Sequence, residues 1–411
     1  MKKCLITAMI AAAWLAAKAE NRIYDPQVKS LQAVVNQDWL SPAVMRLNGN
    51  DYLHVSFDEL SHDYHRYTYH IERCEADWST SDEVFESDWL EGFNDNVIDD
   101  YEGSINTTVL YTHYSLTLPN DRCRLKMSGN YRLHVAEDGS ADDILTVEFM
   151  VTEQVVQMSM AVSTNTDIDT NLKHQQVTMG LKYGNLPVTS PHQQIQTVVM
   201  QNGREDNWRR NSKPSYESQN GLEWRHVRDL IFDGGNEYRK FEVLDPSHPT
   251  MGIDYIRWDG DYYQVFPFTD EPRPNYVYDE DADGAFYIRN SDNYENDTSS
   301  DYVWVNYRLR TNSPLLLSEG IYIDGHWTSE APETYRMELD EETGLYTASV
   351  LQKQGYYNYQ YIIADESGRV CLLPSEGNFY QTENRYQALV YYKGTGGRTW
   401  RLVGYTQVTL Q

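Results

Sequence analysis

The sequence predicts an all-β protein built as three consecutive antiparallel β-sandwich, immunoglobulin-like domains, and three observations predict it. From residue 23 onward, short runs alternate apolar, β-branched or aromatic residues with polar ones, as in Tyr52-Leu53-His54-Val55-Ser56-Phe57, Tyr131-Arg132-Leu133-His134-Val135 and Ile144-Leu145-Thr146-Val147-Glu148-Phe149. A period of two sends alternate side chains to opposite faces of a strand, which is the pattern of a half-buried sheet. Gly, Pro, Asn and Asp punctuate the runs and supply turn chemistry. Finally, aromatic residues make up 13% of the chain, and no amphipathic helix of three turns is evident. A short helical turn is expected around Thr80 to Leu90, which excludes the strand and helix alternation of α/β enzymes.

The chain has 411 residues, 40% hydrophobic and 23% charged, enough for two or three domains. Its 62 acidic and 34 basic residues give a net charge of -28. Such a chain repels phosphate backbones and anionic headgroups, so nucleic acid is disfavoured as a partner. The only long apolar run is Leu5 to Ala17, preceded by Lys2 and Lys3 and followed by Ala17-Lys18-Ala19. That is the layout of a secretory signal, too short to span a bilayer, with cleavage expected between Ala19 and Glu20. Loss of Lys2, Lys3 and Lys18 takes the charge from -28 to -31. Cys4 precedes the apolar run instead of following the cleaved bond, so a lipid anchor is not supported, and no later segment reads as a membrane span.

Cys74, Cys123 and Cys371 remain, an odd number without C-x-x-C spacing. Cys74 and Cys123 either pair within the first domain or stay, like Cys371, as small buried apolar residues. No metal and no cofactor is expected. Two breaks divide the mature chain. The run ending at Val151 is followed by a new set of strands, and an Asn, Asp and Ser cluster fills Ser291 to Asp301. The expected organisation is a signal at 1–19, a first domain at 23–153, a second at 154–300 and a third at 301–411.

Several blocks stand in a fixed order. They are Ser41-Pro42-Ala43-Val44-Met45-Arg46-Leu47, Phe57-Asp58-Glu59-Leu60, His70-Ile71-Glu72-Arg73-Cys74-Glu75-Ala76-Asp77-Trp78, Leu90-Glu91-Gly92-Phe93, Tyr111 to Asn120 and Ser128-Gly129-Asn130-Tyr131. Farther on come Phe232-Asp233-Gly234-Gly235-Asn236-Glu237-Tyr238-Arg239 and Asp279-Glu280-Asp281-Ala282-Asp283-Gly284. This series resembles the plug protein family of the type IX secretion system of Bacteroidetes, formerly a domain of unknown function, over about residues 23 to 405. The resemblance implies a periplasmic protein, or one peripheral to the outer membrane, that docks on the outer-membrane translocon barrel and blocks its pore. The family carries no catalytic residues to transfer. Trp89 and Phe93, in the polar and acidic stretch from Asp82 to Asp100, are the first candidates for partner binding, with a core role for either equally open.

Other constellations are weaker. Asp279, Asp281, Asp283 and Gly284 match the first half of an EF-hand loop, but Asn290 stands where the bidentate Glu belongs, and a tight acidic hairpin is the expected reading. Asp77-Trp78 and Asp88-Trp89 mimic a glycosidase carboxylate pair only against a dense acidic background. Ser128-Gly129-Asn130 suits a hairpin turn. Gly325-His326-Trp327 and the run Tyr356 to Ile363 look like the early-set modules of glycogen-active enzymes. They offer the alternative function, a carbohydrate-binding protein of the cell envelope that stacks sugar on Trp327 or Tyr357. Sheet packing is the plainer reading of the same aromatics.

Overall fold

The structure is a computed structural model and describes residues 21–311, 313, 319–365 and 369–410. The expected signal segment 1–19 and the cleavage site between Ala19 and Glu20 lie outside the described residues. The chain folds as β-sheets with only short helical turns, and the expected turn near residue 85 is Glu86–Trp89. Alternation works as read. In Gly129–Glu137, Tyr131, Leu133 and Val135 point into the core while Arg132 and His134 face outward.

Three units each stack two sheets on a common core. In the first, the sheet holding Tyr67–Cys74, Gly129–Glu137 and Asp143–Thr152 packs on the sheet of Val28–Val35, Leu53–Glu59, Thr112–Leu118 and Asp100–Gly103. Phe57, Tyr69, Tyr114, Tyr131 and Phe149 fill the space between them. The middle unit pairs His174–Lys182 with Gln157–Ser163 and Gly221–Trp224 in one sheet, and Ile195–Gln201 with Arg385–Tyr392 and then Arg401–Thr409 in the other. The third centres on Gly355–Asp365, which pairs Arg239–Val243 on one side and Glu319–Asp324 farther along. Its second sheet contains Ile253–Trp258, Tyr263–Pro267, Tyr302–Leu309 and Leu345–Lys353.

The sheets do not follow the expected cut at residues 300 and 301. Strands from 239 to 288 belong with strands from 302 to 372, whereas 385 to 409 return to the middle unit. The Asn, Asp and Ser cluster read as a domain break is a contact loop. It contains the turn Asn296–Ser299, and the Thr298 carbonyl accepts a hydrogen bond of 2.9 Å from the Ile105 backbone N–H of the first unit. Among the described strands, pairing is antiparallel except at Val44–Arg46 on Asp143–Thr152 and at Tyr263–Pro267 on Tyr302–Leu309.

Ser128-Gly129-Asn130 is not a hairpin turn. Gly129 opens a strand at φ +145°, and a Cβ there would strike the guanidinium of Arg73. The positive φ, strained for any side chain with a Cβ, is what favours glycine there. Cys74 and Cys123 are free and buried, which pushes their thiols up to about 12 and about 11, and Cys371 is exposed rather than buried.

Candidate interaction surface

Trp89 and Phe93 lie four residues apart yet in opposite environments. The turn Glu86–Trp89 starts with the Asp88 carboxylate accepting the Phe85 backbone N–H at 3.1 Å, which closes the first turn. One turn later Trp89 points inward, 5% exposed, with its ring centroid 5.6 Å from that of Tyr131. Trp89 therefore cannot present a ring to a partner, and its place on the candidate list is corrected to the core. The chain then forms Leu90–Gly92, paired with Cys123–Leu125. Phe93 follows at the end of this strand pair, 74% exposed, its backbone fixed by N–H to the Arg122 carbonyl at 2.9 Å. Phe85, 73% exposed, flanks the other end of the segment beneath the Arg398 guanidinium, which pairs with Asp88 at 2.6 Å. Sequence position alone could not tell the two candidates apart, and it missed Phe85.

Behind this surface the three units are fastened by buried polar seams. Between the first and third, Asp58 and Lys353 are each 1% exposed and meet at 2.6 Å. The same Asp58 carboxylate binds His113 Nδ1 at 2.7 Å and accepts the Tyr302 hydroxyl at 2.6 Å. Lys353 also donates to the Asp297 carbonyl and lies over the Tyr111 ring. Between the first and middle units, Arg73 donates to the Trp400 carbonyl at 2.8 Å, and the Trp400 N–H returns to Glu75 at 3.0 Å. An apolar cluster joins Cys74, Ala76, Trp78 and Met150 to Val198, Met200, Leu389, Tyr391 and Leu402 across that seam.

Residues 28–153 match the family described as type 9 secretion system plug protein, first domain. A crystal structure of a hypothetical protein from Parabacteroides merdae ATCC 43184 is 37% identical, covers 95% of this chain and 99% of its own, and superposes with a TM-score of 0.91. The chain belongs to the type IX secretion system plug protein family. No curated protein matches it. Two other solved structures align too poorly to carry an argument. The Pseudomonas fluorescens alkylpurine DNA glycosylase AlkC bound to abasic-site-analog DNA is 13% identical over 36% of this chain and 34% of that one, at a TM-score of 0.16. The C-terminal domain of the Streptococcus pyogenes antigen I/II-family protein AspA is 8% identical over 93% and 99%, at 0.18.

The ordered blocks that suggested the plug family from sequence fall largely on the seams. Asp58 comes from Phe57 to Leu60, Arg73 and Glu75 from His70 to Trp78, and Asn130, whose side chain accepts the Tyr391 hydroxyl at 2.8 Å, from Ser128 to Tyr131. Phe232 to Arg239 makes the seam between the middle and third units. A Cβ on Gly234 would strike the Phe379 carbonyl, and the Asn236 amide donates to the Glu376 carbonyl at 2.7 Å.

The acidic segment from Asp279 to Gly284 is a loop rather than a hairpin, and its carboxylates have separate partners. Asp279 pairs with Lys240 at 2.6 Å, Asp281 accepts the backbone N–H groups of Tyr238 and Asp283, and Asp283 faces Arg385 at 3.4 Å. Among the described residues no three His, Cys, Asp or Glu side chains converge as a metal-ligand set. Burial, reinforced by Asp283, pushes Asp281 up to about 8, and burial pushes Asp283 up to about 6 against the pull of Arg385. A raised carboxyl pKa stabilises the fold at acid pH, and that contribution is lost as pH rises through the raised value. The melting temperature should therefore fall as pH rises from the ordinary aspartate value of 3.8, with the Asp283 part of the loss complete by about pH 6 and the Asp281 part by about pH 8, and Asp281→Asn should flatten the fall. Parallel profiles for the variant and the parent would refute the assignment.

The remaining candidates separate cleanly. Asp77 is held by Ser79 and Asp88 by Arg398, so the two do not form one site. Trp327 and Tyr357 are buried in the third core, and Tyr359 and Tyr361 point inward with them, both hydroxyls donating to Asp270. None of these rings is available to stack on a sugar. Among the described residues no helix is long and apolar enough to cross a membrane.

Proposed function

We propose that this chain is a non-enzymatic periplasmic protein that binds the outer-membrane type IX translocon barrel and occludes its pore. The observation that carries the reading is the family match over residues 28–153. The seams support it physically. A plug must resist deformation when it covers an opening, and buried ion pairs with shared apolar packing tie the three units into one stiff body. Release then has to come from weak contacts at the rim, which suits a small exposed patch better than a deep interface.

Phe93 is the residue placed to make such a contact. Phe93→Asp should reduce co-purification of the barrel from envelope membranes by tenfold or more, about 1.4 kcal/mol, while circular dichroism and melting temperature stay those of the parent. Full recovery of the barrel by a folded Phe93→Asp protein would move the contact elsewhere. Trp89→Asp is unsuited to this experiment because it puts a charge into the core.

A further inference from the structure

We propose that the apolar groove at the end of the first unit receives an aromatic or aliphatic side chain carried on an acidic segment of the partner protein. The inference rests on the translocon-binding reading and specifies the chemistry of the contact. The groove encloses about 400 Å³, within the range of ligand sites. Its floor is formed by Met45, Ile71, Leu118, Cys123 and Val151, which are also members of the first unit's core. The groove thus reaches between the two sheets, and an apolar group entering it extends a core that is already dry. Its walls come from the blocks at Ser41 to Leu47 and Tyr111 to Asn120, and from Cys123–Leu125, the partner strand of the segment that leads into Phe93. The groove is therefore continuous with the candidate surface.

The polar residues on the groove select the charge of the occupant. Arg46 and Arg124 are both exposed and both line it. They come from strands of two different sheets. Asp51, the acidic residue of the lining, is engaged by the Asn36 amide and the Arg46 backbone N–H, each at 2.8 Å. Glu91 lies opposite Arg124 in the ladder without closing an ion pair with it. In a chain of 62 acidic and 34 basic residues, two arginines beside an apolar opening favour a partner that supplies carboxylates. Because they belong to separate sheets, they suit carboxylates on both sides of an apolar anchor, whereas a fatty acid carries its charge at one end.

The test titrates the full chain with acetyl-Glu-Phe-Glu-amide and, separately, with decanoate, following both by ligand-observed NMR. The parent is compared with R46E/R124E and, should charge reversal perturb folding by circular dichroism, with R46Q/R124Q. Saturable binding of the peptide, weakened about tenfold by R46E/R124E and by added salt, is the expected result. Peptide binding indifferent to the arginines, or decanoate binding without peptide binding, overturns the inference, the latter in favour of a lipid occupant. Barrel co-purification separates this inference from the reading beneath it. If parent and R46E/R124E recover the barrel equally, the groove assignment fails and the translocon reading stands. If the parent recovers no barrel while the peptide still binds through the arginines, the translocon reading fails and the groove chemistry stands.

Discussion

Asp58→Ala is expected to lower folding stability by about 3–5 kcal/mol, the typical cost of removing one partner from a buried ion pair. Lys353 would be left without its carboxylate in a site 1% exposed, and the Tyr302 hydroxyl and His113 would each lose an acceptor. Lys353→Met should cost a similar amount, because it strands Asp58 instead. Replacing both, as Asp58→Ala with Lys353→Met, should cost far less than the sum, since no unpaired charge is then buried. Urea titration of the four proteins measures the cycle, and additive losses would show that the two residues do not act as a pair. The pH dependence follows from the same geometry. Burial alone would push the Asp58 carboxyl up, but the Lys353 ammonium and His113 outweigh it and hold it below its ordinary value. A depressed carboxyl stabilises the fold at neutral pH, and the contribution is lost as pH falls through the lowered pKa. Asp58→Ala should therefore differ most from the parent near neutrality and converge with it in strong acid.

Glu376→Ala should be comparably damaging, again about 3–5 kcal/mol. Glu376 is 0% exposed and binds Arg239 Nε through both oxygens, at 3.0 and 3.2 Å, together with the Arg273 guanidinium. Burial would favour deprotonation of Arg239, yet Glu376 and Asp270 more than offset it and keep the guanidinium charged. Removing Glu376 leaves Asp270, at 2.8 Å from Arg239, as the remaining carboxylate for that cation. Glu376→Gln retains the shape and one acceptor and should lose less. Equal stability of Glu376→Ala and the parent in urea would mean that this cluster is not holding the seam.

The fold class was legible because alternation is a local property. Tyr131, Leu133 and Val135 announce an inward face within five residues, and their environment in the first core agrees. Which strands share a sheet is not local. Ile195–Gln201 pairs with Arg385–Tyr392 across almost half the chain, and no window of sequence contains both. The Tyr357, Tyr359 and Tyr361 face was also legible as a face, but whether it pointed to core or solvent depended on the sheet laid over it. Trp89 and Phe93 show the same limit on a smaller scale, since one helical turn decides which ring is buried. Asp58, Lys353 and Glu376 were hidden for a different reason. Among 62 acidic and 34 basic residues, a buried charge looks like any other until its partner is brought to it. The ordered blocks did contain Asp58 and Arg239, the partner of Glu376, though as a family pattern whose physical cause, the seams, was not readable in one dimension.

The return of Arg385–Tyr392 and Arg401–Thr409 to the middle unit has a consequence for the order in which the molecule can assemble as it emerges from a ribosome or an export channel. Every strand of the first unit lies before residue 153, and every strand of the third lies before residue 373. The middle unit, although its other strands appear earlier, lacks half of one sheet until the last strands arrive. Its core residues Val199 and Trp224 must wait for Tyr386, Ala388 and Val390. Those same final residues carry Tyr391 and Trp400 into the seam with the first unit. Closure of the middle sandwich and fastening of the first seam therefore belong to one late event, and stiffness comes to the body only when its final strands have been delivered.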